Sequence, residues 1–150
     1  MSYKYLLRVI SNFVQCSCVI HCILEYIGDA VVCAGPSMEP TLYTKDVLIT
    51  ERISIRLQKL EKGHIVVSKC PSNPKQHICK RILGLPGDKV NDGIIVPNGH
   101  VWLEGDNIVN STDSRVYGPV PQGLLRGRVI CKIYPLCDIT FFGSEHKRSN

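Results

Sequence analysis

From Val9 to Cys33 the chain is mostly apolar, densest between Phe13 and Ile27, and beyond Gly35 it breaks into short alternating runs separated by turn residues. The first stretch just meets the roughly 20 apolar residues that a membrane-crossing helix needs. A helix over about residues 9–33, inside an N-terminal segment 1–34, is therefore expected. Asn12, Gln15, His21, Glu25 and Asp29 interrupt it, and the last three recur every four positions, so they share one helical face. Such a stripe prefers protein to lipid. Two placements are open: an amphipathic helix on the membrane surface or the domain, or a spanning helix whose stripe meets a partner. The spanning placement is the expectation. Lys4 and Arg8 precede the segment and no Lys or Arg comes after it until Lys45, a bias that keeps the N-terminus inside and translocates the remainder of the chain. Residues 1–24 contain no Asp or Glu, as in a mitochondrial import signal.

The second region alternates with the period of strands. Runs at 47–51, 64–69, 78–83, 93–96, 100–103 and 126–134 are predicted strands, and only 53–60 carries a weak helical pattern. Pro, Gly, Asn and Asp punctuate the gaps at 71–74, 85–88, 91–93, 97–99 and 118–123, where fixed or positive φ reverses the chain. The spacing predicts a mainly β domain of short antiparallel strands over 35–143, with a frayed tail at 144–150.

Composition narrows the class. A chain of 150 residues, 44% hydrophobic, holds one domain with a core plus a tether. The net charge of +5 is scattered between strands instead of concentrated, so it suits a membrane-proximal protein and gives no nucleic-acid footprint. Eight cysteines include no CxxC pair, which argues against a structural metal. Cys70 with Cys79, or Cys131 with Cys137, could pair in an oxidising compartment, but sequence cannot supply the geometry; small buried thiols are the favoured reading.

Two segments carry candidate chemistry. In Gly35-Pro36-Ser37-Met38-Glu39-Pro40-Thr41-Leu42, two prolines hold the chain extended around one serine; alone, this pattern also fits a linker. In His77-Ile78-Cys79-Lys80-Arg81-Ile82-Leu83, strand alternation puts Lys80 on one face with Ile78 and Ile82. A lysine among aliphatic neighbours is either a snorkelling edge residue or a buried amine whose pKa falls towards neutrality. A neutral amine can take the proton of a serine hydroxyl without histidine.

The Ser37 segment resembles the nucleophile box of type I signal peptidases, and Lys80-Arg81-Ile82-Leu83-Gly84-Leu85-Pro86-Gly87-Asp88 resembles their lysine box. A third box is similar, made of Gly105-Asp106-Asn107, Asn110-Ser111-Thr112-Asp113-Ser114-Arg115 and Tyr117-Gly118. The resemblance, over about residues 35–128, implies a signal-peptidase-like β domain and a membrane-bound serine endopeptidase with no cofactor. It implies Ser37 as nucleophile, Lys80 as general base, Ser111 orienting the amine, Asp113 and Arg115 as a supporting pair, and the Ser37 backbone N–H as oxyanion donor. Arg81, Asp106, Asn107 and the turn at 84–88 would be structural. Gly35 departs from bacterial members with a serine hydroxyl there, and Ile108-Val109 from those with charges. Length, anchor and residues 101–107 look most like the short members of the mitochondrial inner membrane. That likeness implies precursor proteins with extended sorting segments as substrates, a catalytic domain facing the intermembrane space, and assembly with a second related protease subunit.

Three rival readings are compatible with parts of the pattern. His64, His77 or His100 could serve Ser37 with Asp106 as orienting group, but none sits in a triad-like motif. The chain could instead be an inactive membrane-held scaffold subunit, which would not need both Ser37 and Lys80. A self-cleaving repressor would require a DNA-reading helix-turn-helix, and residues 1–34 are too apolar for one.

Overall fold

The computed structural model describes residues 2–22, 25 and 28–143. Helix α1 (Ser2–Cys22) is exposed along its described length and packs on nothing in the domain. Its 21 residues span about 31 Å at 1.5 Å per residue, and Tyr3–Cys22 is long and apolar enough to cross a membrane by length and composition.

The helix differs from the expected 9–33. It starts earlier, and Ala30–Val32 forms strand β1, paired antiparallel to β2 (Val47–Glu51) with Val31 opposite Leu48. The cause is local. A Cβ on Gly28 would fall 1.6 Å from the Thr50 carbonyl oxygen, so glycine alone lets this backbone close on β2. Asp29 O then accepts from both Thr50 N and Thr50 Oγ1. The polar stripe is also redirected: Glu25 and Asp29 both pair with Arg52 of the domain, so Asp29 is not on α1 at all. Residues 23, 24, 26 and 27 of the expected helix, and the expected tail 144–150, lie outside the described residues.

After β2 the chain forms α2 (Ile53–Arg56), β3 (Ile65–Lys69), β4 (His77–Gly84), β5 (Lys89–Val90), β6 (Ile94–Ile95), β7 (His100–Glu104), α3 (Ser114–Tyr117), β8 (Val120–Pro121), β9 (Leu125–Tyr134) and β10 (Thr140–Phe141). One curled antiparallel sheet runs β1-β2-β9-β3-β4-β7-β8, with β10 added to β9; β5 and β6 form a separate ribbon. The fold is mainly β, as the alternation predicts.

Strand β3 shows why the sheet curls. Ile65 and Val67 join Cys33, Met38, Leu42, Leu48 and Val129 in one core cluster, while Val66 joins Ile82, Val101, Leu103, Val120 and Leu125 in another. Successive side chains leave opposite faces of a strand, so a strand apolar at three consecutive positions is satisfied only when both faces are covered. Val66 sits opposite Lys80 on β4 and Arg128 on β9. Strand β4, which carries Lys80, therefore lies in the interior of the sheet, where a lysine side chain has little access to water.

Candidate active site

Ser37 lies in the turn between β1 and β2, half-buried, while the next residue, Met38, and Leu42 are buried in the first core cluster. Those two apolar anchors fix the loop: Leu42 N donates to Met38 O at 2.9 Å, and Glu39 N to Pro36 O at 3.2 Å. Two contacts from the 105–107 segment hold its other side, Asn107 N to Ser37 O at 3.1 Å and Asn107 Nδ2 to Pro36 O at 3.1 Å. Among the described residues no hydrogen bond uses the Ser37 N–H, which leaves it free to donate to an oxyanion. Gly35 has φ of 95° with no atom within 4 Å of an added Cβ. Space would admit a side chain, but the left-handed backbone disfavours one, so the hydroxyl that bacterial relatives offer from this position has no side-chain counterpart here.

Lys80 is 3% exposed on β4, and its Nζ donates to Ser111 Oγ at 2.8 Å. Ser111 Oγ donates in turn to Asp113 Oδ2 at 2.6 Å. A hydroxyl has a single proton; with that proton committed to Asp113, Ser111 can only accept from Lys80. The amine is thus steered by one N–H, and its lone pair, when neutral, is left to point elsewhere. Burial pushes the Lys80 pKa below the ordinary lysine value; Asp113 opposes this through its charge, and Arg115 reinforces it.

Asp113 is fully buried and accepts from Arg115 Nε at 2.9 Å, Arg115 Nη2 at 2.6 Å, the Gly105 N–H at 3.0 Å and Ser111. Burial alone would raise its pKa, but these donors, Arg115 first, hold the carboxyl well below the usual carboxylate range. It stays ionised, caps α3 by accepting from Arg115 N, and keeps Ser111 oriented.

A second clamp joins the two loops to β4. Asp106 takes Arg81 bidentately, Nε to Oδ1 at 2.9 Å and Nη2 to Oδ2 at 2.7 Å, and accepts from Thr41 Oγ1 at 2.5 Å. Arg81 Nη1 also donates to Gly63 O at 2.9 Å. Arg81 belongs to β4 and Thr41 to the Ser37 loop, so one carboxylate ties the Ser37 and Lys80 segments together. Between them sits Gly105, where an added Cβ would lie 2.2 Å from Ser111 Oγ and 2.4 Å from Ser37 O. Sequence reasoning placed Gly105 and Asp106 in a box but missed Thr41, for which a lone threonine in a loop gives no signal.

Ser37, Lys80 and Thr112 line one cavity of about 360 Å³ together with Cys33, Met38, Cys70, His77, Ile78 and Cys79. No hydrogen bond between Ser37 Oγ and Lys80 Nζ is present among the described residues; catalytic contacts commonly tighten only with substrate bound. The histidine alternatives are not assembled. His64 is buried against Arg128, His100 Nδ1 contacts Asn98 O, and both Asp106 oxygens are engaged by Arg81 and Thr41. His77 lines the cavity without meeting Asp106. All eight cysteines are free thiols, so neither Cys70–Cys79 nor Cys131–Cys137 is bonded. Among the described residues no cluster could hold a metal ion.

Comparison with known proteins gives the same family as the motifs. The family model described as signal peptidase, peptidase S26 matches residues 6–93 and 91–134. The chain is 48% identical over 143 residues to mitochondrial inner membrane protease subunit 1 of Homo sapiens, covering 89% of this chain and 86% of that protein. It is 42% identical over 137 residues to the Schizosaccharomyces pombe protein of the same name, covering 85% and 87%. To mitochondrial inner membrane protease subunit 2 of Danio rerio it is 34% identical over 143 residues, covering 88% and 78%. Sequence motifs, the curled antiparallel sheet and these relatives agree: the chain belongs to the signal peptidase family, peptidase S26.

Proposed function

We propose that this chain is the catalytic subunit of a mitochondrial inner membrane protease, cutting sorting segments from precursor proteins with Ser37 as nucleophile and Lys80 as general base. The observation that carries the reading is a buried Lys80 amine, held by Ser111 in the same cavity as Ser37. A serine hydroxyl is inert until its proton is removed, and a desolvated amine can be neutral near physiological pH.

Ser37 Oγ attacks the scissile carbonyl carbon as its proton passes to Lys80 Nζ. The oxyanion is met by the Ser37 N–H; a donor of this kind contributes about 3–4 kcal/mol where it has been tested. Collapse breaks the C–N bond, and Lys80 returns the proton to the leaving amine. A water then attacks the acyl-enzyme, giving its proton to Lys80, and the released Ser37 recovers it. Ser111 acts by aiming the amine, and Asp113 with Arg115 by aiming Ser111.

The substrate would lie extended along the free edge of β1, hydrogen-bonded through its main chain. In support, a second hollow of about 640 Å³ runs beside Ala30, Val31 and Val32 and shares His77 with the Ser37 cavity. The relatives are named as subunits 1 and 2 of a mitochondrial inner membrane protease, which supports a hetero-oligomer with a second related subunit. The charge bias around α1 supports a domain on the intermembrane-space side.

The test is cleavage of a presequence substrate by the purified, partner-supplied enzyme. Ser37→Ala and Lys80→Met should each lower kcat by at least about 10³-fold. Undiminished cleavage by Lys80→Met would end the dyad proposal.

A further inference from the structure

Cys33 comes directly after β1, four residues before Ser37, and Cys79 immediately precedes Lys80 on β4. Far apart in sequence, the two thiols meet in the fold. Both line the Ser37–Lys80 cavity, and both pack in the first core cluster. Cys33 is 9% exposed and lines the cavity. Neither sulfur belongs to the Lys80–Ser111–Asp113 chain.

Cys79 lowers the Cys33 pKa against burial and the charge of Asp46, with help from Lys132, while Cys33 and burial raise that of Cys79. One thiol of the pair therefore has more thiolate character, the form that reacts with oxidants, and the other is a resolving thiol already in contact.

We propose that Cys33 and Cys79 form a peroxide-reactive dithiol in the wall of the catalytic cleft, whose disulfide reversibly switches the cleft off. The Cys33 thiolate attacks one oxygen of hydrogen peroxide; the O–O bond breaks, and the departing hydroxide takes a proton to become water, leaving a sulfenic acid on Cys33. The Cys79 sulfur then attacks that sulfur and expels hydroxide, which leaves as water with the Cys79 proton. Two thiols and one peroxide give one disulfide and two waters, the two electrons passing from sulfur to oxygen.

A sulfur–sulfur bond of about 2.05 Å is far shorter than a thiol contact. Forming it draws the segment entering the Ser37 loop towards the strand carrying Lys80. A displacement of about 1 Å at a reacting pair can cost on the order of 10²-fold in rate. The effect on cleavage rests on the proposed roles of Ser37 and Lys80; formation of the bond does not.

The experiment treats the purified full-length enzyme with hydrogen peroxide, blocks remaining thiols with N-ethylmaleimide, and monitors peptide mass and substrate cleavage in parallel. A linked Cys33–Cys79 peptide should accumulate as kcat/KM falls by at least about tenfold, and dithiothreitol should reverse both. Cys33→Ala and Cys79→Ala, each scored against its own untreated rate, should lose the linkage and the peroxide sensitivity. The linkage should also form in Ser37→Ala, which separates this proposal from the enzyme assignment. Absence of the linked peptide, linkage of Cys79 to Cys70 instead, or full cleavage by the linked form would each overturn it.

Discussion

At Lys80 two requirements oppose each other. Burial favours the neutral amine that the proposed base needs, while Asp113, which holds Ser111 against it, favours the ammonium; Arg115 lies on Asp113 and reduces that effect. The charges act in series, so their removal has opposite signs. Replacing Arg115 with Gln should raise the Lys80 pKa and move the rising limb of kcat/KM to higher pH. Asp113→Asn should move the limb to lower pH, with a lower plateau because Ser111 exchanges an ionised acceptor for a weaker neutral one. Shifts of the same sign would contradict this arrangement. Linkage gives a further test. With its folded pKa below the unfolded value, Lys80 binds fewer protons in the folded state between the two, so stability rises with pH through that window. At neutral pH the residue costs stability, and Lys80→Met should raise the thermal midpoint while removing activity; a lowered midpoint would sink the argument. Alternation with Ile82, which is itself fully buried, put Lys80 on an apolar face but left a snorkelling edge lysine as open as a buried amine. Its contact with Ser111, across 31 positions, was readable only through family resemblance, because no local pattern encodes a meeting between a strand and a loop.

At the scale of elements, the site is three chain segments pinned to one another. Asp106 joins β4 to the serine loop, and replacing it with Asn should cost about 1–3 kcal/mol through the weakened Arg81 and Thr41 bonds, read as a lower midpoint of unfolding. Gly105 sets how closely the Ser37 and Ser111 loops approach. A methyl group there meets the Ser37 carbonyl at 2.4 Å, and backbone cannot swing aside; Gly105→Ala should lower kcat/KM by about 10²-fold. An unchanged rate would show that the loops are not held by this contact. Strands β2, β3, β4, β7 and β9 were legible within a residue or two, because period-two alternation and flanking turn residues agree there. Strand β1 was not. Its Ala-Val-Val sequence continues the apolar run of the tether, and only pairing with β2 past Gly28 decides against helix. The short strands β8 and β10 gave no periodicity to read. Nor was the Cys33–Cys79 juxtaposition visible, since β1 and β4 are not neighbours in the sheet and the two thiols come together only in the core that its curl encloses.

For the whole molecule, the connection between α1 and the β domain is short. Fourteen residues separate the end of α1 at Cys22 from Ser37, and Arg52 ties the domain to Glu25 and Asp29 within that stretch. With α1 in the membrane, as the proposed function has it, this short connection would hold the cleft near the lipid surface. Protease added to mitochondria with only the outer membrane opened should degrade the domain; protection at that stage would reverse the orientation. The central claim, that an uncharged Lys80 activates Ser37, is tested most directly by the pH dependence of kcat/KM on a presequence substrate. The account predicts a rise that levels off with an apparent pKa clearly below the ordinary lysine value of 10.5. A rate that keeps climbing to that value, with no earlier plateau, would contradict it.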